Sequence, residues 1–67
     1  MKTIRPLREE RGWSQAELAR RARLNATTVS LIESNRLRPY ATQLTKLADA
    51  FRLSGHARRN FIEGHDA

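Results

Sequence analysis

The sequence predicts an all-α domain, and three observations carry that prediction. Apolar residues recur at helical spacing, most clearly Leu44, Leu47, Ala48 and Phe51 at i, i+3, i+4 and i+7. Two capping residues, Ser14 and Asn25, stand directly ahead of helical runs. The 67 residues include no cysteine, so neither disulfides nor a thiolate metal site can staple the chain, and helix packing must hold it. The length suits one domain, residues 1–67, because a chain of this size buries only ~60% of the surface that its unfolded form exposes.

The first helix is expected to start at Ile4 with Thr3 as its cap, since Pro6 then lies in the first turn, where its missing N–H costs no helical bond. Ile4 and Leu7 face inward. Gly12 closes this helix as the residue able to take positive φ. Trp13, just ahead of Ser14, stands where a hydrophobic staple reaches Leu18, and a lid on the core suits it better than base stacking.

Ser14 and Glu17 form the pattern of a capping box, which starts a second helix at Gln15 with Leu18, Ala19 and Ala22 as its apolar stripe. Asn25 caps a third helix from Ala26 to Ser34. The three residues between them, Arg23, Leu24 and Asn25, complete a helix-turn-helix over about 14–34. Asn35 ends the third helix in the left-handed conformation, and Arg36, Leu37 and Arg38 form a basic loop up to Pro39. A fourth helix runs from about Tyr40 to Phe51. Leu53 closes the core, and Ser54 caps a last helix over about 55–63 with Ala57, Phe61 and Ile62 as its apolar residues. Gly64 is expected to stop it and residues 64–67 to fray.

On the third helix, Val29, Ile32 and Glu33 fall on one side, while Thr27, Ser30, Leu31 and Ser34 fall on the other, with Ala26 in the exposed first turn. The outer face is small and uncharged where a solvated face would carry Lys, Glu or Arg. Either it is a bland helix surface or it meets another surface; its hydroxyls and methyls suit base edges in a major groove. Thirteen Lys and Arg against seven Asp and Glu give a formal charge of +6. The sequence pI of about 11.4 points to a polyanion or an acidic membrane. Eleven of the thirteen are arginine, which contacts phosphate and guanine bidentately and so favours nucleic acid. Genome composition explains some of these arginines but not their grouping at 20, 21, 23, 36 and 38.

No apolar run approaches the ~20 residues that span a bilayer, and the N-terminus lacks the apolar centre of a signal peptide, so the expected location is cytoplasmic, with the nucleoid. A membrane-active cationic peptide is disfavoured, because the basic residues are spread over several helices and loops. An enzyme is not expected. His56 and His65 are both near the C-terminal end, Ser14 and Ser54 serve as caps, and no acid, base and nucleophile constellation is present. His56 has no second ligand at helical spacing, so neither a metal nor a cofactor is expected.

Taken together, Arg8, Gly12-Trp13-Ser14-Gln15 leading to Leu18-Ala19, Val29, Ile32-Glu33, the basic loop ending at Pro39, and Leu44, Leu47-Ala48, Phe51 resemble the Cro/phage-repressor type of helix-turn-helix domain, a lambda-repressor-like DNA-binding fold. The resemblance runs from Ile4 to about Leu53 and implies a compact five-helix domain with the helix-turn-helix at helices 2 and 3. It implies that Ala26, Thr27, Ser30 and Leu31 face bases, and that Gln15, Arg23, Ser34, Arg36 and Arg38 hold phosphates. It also implies that Arg8 and Glu33 form a partly buried ion pair. Arg23 departs from the family's turn glycine and Asn35 from its frequent glycine after Glu-x.

The resulting expectation is sequence-specific binding of double-stranded DNA in the major groove by a bacterial, phage or plasmid transcriptional regulator, most naturally a repressor that occupies its operator. Domains this small gain affinity by dimerising, with Phe61 and Ile62 as the candidate homodimer contact, although both could equally finish the monomer core. The alternative is a DNA-binding antitoxin or protein-docking module whose main partner is another protein, such as a toxin. The last segment, LSGHARRNFIEG, is similar to the ending of repressor-type domains carried by larger bacterial regulators, so a larger parent regulator is also an expectation.

Overall fold

The computed structural model describes residues 4–66, with side chains from Ile4 to Gly64. It contains five helices: α1 (Ile4–Glu10), α2 (Gln15–Ala22), α3 (Ala26–Glu33), α4 (Ala41–Ala50) and α5 (Gly55–Asp66). The Thr3 cap expected for α1 lies outside the described residues. Helix α2 packs against α3 and α4, and α4 against α5.

One core serves all five helices. Ile4 enters it from α1, Leu18, Ala19 and Ala22 from α2, Val29 and Ile32 from α3, Leu44, Leu47 and Ala48 from α4, and Phe61 from α5, with Phe51 between α4 and α5. Leu7, Trp13, Leu24, Leu37, Leu53 and Ile62 pack around its edge. Trp13 is a lid: its ring stacks on Phe51 at 5.9 Å between centroids, and the Arg21 guanidinium lies over the ring at 4.4 Å from its centroid. Arg11 braces this stack from α1's end, donating to the carbonyls of Leu7 and Phe51, both at 2.9 Å.

Four helices end in the same way. The residue after the last turn is left-handed and the next N–H reaches back five residues: Trp13 to Arg8 (3.1 Å), Leu24 to Ala19 (2.8 Å), Arg36 to Leu31 (2.9 Å) and Leu53 to Ala48 (3.0 Å). The left-handed residues are Gly12 (φ 71°), Arg23 (φ 57°), Asn35 (φ 62°) and Arg52 (φ 57°). Arg23 therefore takes the backbone path of the glycine it stands in for.

Two local expectations are corrected, and the role of Phe61 is narrowed. Helix α5 does not stop at Gly64 but continues through it to Asp66, because a glycine ends a helix only where the chain turns left-handed, and Gly64 keeps a negative φ. The capping box of α2 is half formed. Ser14 Oγ accepts from the Glu17 N–H at 3.0 Å, but both Glu17 oxygens turn outward to Arg20 and Arg21, where charge-assisted bonds of 2.7–3.3 Å are stronger than one to a neutral N–H. Phe61 is 5% exposed and packs edge-on to Phe51 at 6.2 Å between centroids, so of the two roles expected for it the structure shows the one in the monomer core. Ile62 stays half-buried beside it.

Candidate nucleic-acid interface

The two caps that define the helix-turn-helix are both made. Ser14 caps α2, and Asn25 caps α3 by accepting from the Thr28 N–H at 2.8 Å and from its hydroxyl at 2.9 Å. Between them the chain needs only Arg23 and Leu24, and Leu24 tucks against the core. This short connection sets α3 across α2 with Val29 and Ile32 buried at 1% and 0% exposure. The opposite face of α3 is left outside: Ala26, Thr27, Ser30 and Ser34 are exposed and Leu31 is half-buried.

An ion pair holds the far end of α3. Arg8 Nε donates to Glu33 Oε2 at 2.8 Å and Arg8 Nη2 to Oε1 at 3.1 Å, a fork-on-fork geometry. The third arm, Nη1, donates to the Trp13 carbonyl at 2.9 Å. The two side chains are only 12% and 6% exposed, so α1, the Trp13 lid and α3 are tied through one buried guanidinium. The Glu33 hydrogen bond raises the Arg8 pKa further, outweighing desolvation by burial, which acts the other way.

Gln15 joins the same network, its Nε2 donating to Glu33 Oε1 at 3.2 Å. It therefore orients the start of α2 over the end of α3 and keeps one amide N–H for another acceptor. Arg5, Gln15, Ser30, Glu33 and Ser34 line a shallow depression beside the outer face of α3. Ser34 Oγ donates there to the Leu31 carbonyl at 3.2 Å. Beyond it, Arg36 and Arg38 are exposed on the basic loop, while Leu37 and the buried Pro39 anchor that loop to the body. Arg23 lies at the other end of α2, in a cleft it shares with Arg21, Ala22, Lys46 and Asp49, away from the depression.

Two residues were missed from the sequence. Tyr40 is the one large hydrophobic exposed among the described residues, at 69%, and it stands directly after the basic loop with its N–H donated to Gln43 Oε1 at 2.9 Å. An aromatic immediately after Arg-x-Arg-Pro was the available signal. Arg5 was missed because nothing in its sequence neighbourhood shows that the start of α1 comes beside Ser30 and Ser34.

No described helix is long and apolar enough to cross a membrane. A family model described as a helix-turn-helix domain matches residues 2–61 of the chain, which takes in α1 to α4 and half of α5. No curated protein and no solved structure matches it.

Proposed function

The chain belongs to a Cro/repressor-like helix-turn-helix family, and from that premise we propose that it is a sequence-specific binder of double-stranded DNA acting as a transcriptional repressor of bacterial, phage or plasmid origin. The observation that carries the reading is the outer face of α3, four small exposed residues and a half-buried leucine on a helix whose other side is locked into the core. Such a face enters a major groove without steric obstruction. Thr27 and Ser30 hydrogen-bond base edges there, and Ala26 and Leu31 pack against thymine methyls, which favours A·T-containing steps.

Gln15, Ser34, Arg36 and Arg38 flank that face and hold phosphates, with Gln15 offering its remaining amide N–H at the start of α2. Arg23, in its separate cleft at the other end of α2, is the remaining phosphate contact of this reading. Repression follows from occupancy of the operator. A docking module built on an exposed Phe61 and Ile62 patch is less well supported, because Phe61 belongs to the core.

The test is a selection of the protein against random duplexes at moderate salt, with sequencing of the retained fraction. Enrichment of a defined site, with preferences that change on substitution of Thr27 or Ser30, is the expected result. No enrichment rejects the reading, and a uniform loss of affinity on every duplex for both variants removes these residues from the reading face.

A further inference from the structure

We propose that the depression beside α3 is the seat of a DNA phosphate held by Arg5, and that Glu9 is a built-in competitor for that arginine. The proposal rests on the DNA-binding reading above and adds a residue to it. Glu33, the carboxylate in the depression, is already matched by the two arms of Arg8 and by Gln15. The charge left over in the depression is that of Arg5, which lines it and whose Nε is paired at 3.0 Å with Glu9, a residue outside the lining.

The Arg5–Glu9 pair is poorly explained as a brace for α1. Its side chains are 71% and 60% exposed, where ion pairs are weak. The arginine precedes the glutamate, the less favourable order for an i, i+4 pair. Arg5 also sits in the first turn of α1 and Glu9 in the last, each against the helix dipole. A contact so weakly held is readily exchanged for a phosphate, whose oxygens accept the guanidinium in the same fork geometry. Ser30 and Ser34, which share the depression, belong to the outer face of α3, so the phosphate bound here is the one beside the reading helix. Glu9 then sets a threshold: the arginine leaves it only when a phosphate is presented at the right height.

The test is duplex binding across a salt series by R5A, R5K, E9Q and R5A/E9Q, on a selected duplex and an unrelated one. R5A is expected to lose the same fold on both duplexes, with log K against log salt shallower by about 0.9, and R5K to restore the slope. E9Q is expected to bind both duplexes about twofold more tightly. In the R5A background that gain is expected to vanish. If the wild-type protein binds a selected duplex and R5A keeps its slope, or if E9Q tightens R5A as much as wild type, this proposal is overturned and the DNA reading stands. If the wild-type protein binds no duplex at any salt, both fall together. Thermal melting of each variant checks that the exposed substitutions leave the fold intact.

Discussion

Arg8 decides more of this structure than any other polar residue, because its three arms connect α1, the Trp13 lid and the end of α3 within 3.1 Å. Removing one partner leaves the other charged and desolvated, so Glu33→Ala should cost about 3 kcal/mol, well above the ~0.5 kcal/mol of a surface pair. Chemical denaturation measures it, and a double cycle with Arg8→Met should show coupling, since the double variant leaves no buried charge. A loss under 1 kcal/mol for Glu33→Ala would mean the pair behaves as a surface one. Glu17 is the contrasting case, a surface carboxylate still 30% exposed that Arg20, hydrogen-bonded to it, holds below its usual pKa. A carboxyl whose folded pKa is depressed stabilises the fold above its unfolded value and loses that contribution as pH falls through the folded one. Stability should therefore begin to drop as pH passes below ~4.3, and Glu17→Gln should remove that share of the drop. Equilibrium melts between neutral and acid pH decide it; identical profiles for the variant and the wild type would show that solvent screens the pair completely.

Helix starts were legible here and helix ends only partly, for a physical reason. A start is marked by a side chain: Ser14 and Asn25 accept from backbone N–H groups, and only a few residue types can do that. An end is marked by a backbone angle. Gly12 and Asn35 advertise it, whereas Arg23 and Arg52 take the same left-handed turn with a side chain that carries no such signal. Gly64 shows the reverse error, a residue able to turn that is not required to. The candidate site divides along the same line: the outer face of α3 follows from periodicity within one helix, while the approach of Arg5 and Gln15 to Ser30 and Glu33 is set by how α1 and α2 pack on α3. An arginine at positive φ costs roughly 1–2 kcal/mol, partly offset when glycine replaces it by ~0.5–1 kcal/mol of extra unfolded-chain entropy. Arg52→Gly should thus stabilise the domain by about 0.5–1 kcal/mol, raising Tm by a few degrees for a chain of this size. A lower Tm would show that the Arg52 side chain stabilises the α4–α5 corner in some other way.

At the scale of the whole molecule the question is how one small domain gains enough affinity for DNA. Two copies on one face of the duplex place their reading helices about 34 Å apart. The domain itself measures 26 × 23 × 19 Å, so neighbours at that spacing meet over a narrow front. A standard interface buries about 800 Å² per partner, which would be nearly a fifth of this domain's 4539 Å² surface. The apolar material for it is scarce among the described residues: Phe61 is in the core, Ile62 is half-buried, and Tyr40 adjoins the basic loop. A formal charge of +6 further opposes association of free copies, and DNA phosphates remove that repulsion. The expected outcome is a 7.7 kDa monomer in sedimentation at micromolar concentration and moderate salt, with pairing only on the duplex. The duplex selection should then return two half-sites one helical turn apart, and Ile62→Asp should weaken cooperativity between them without changing affinity for a single half-site. A stable dimer in the absence of DNA, unaffected by Ile62→Asp, would place the contact on another surface and make pairing a property of the protein before it meets DNA.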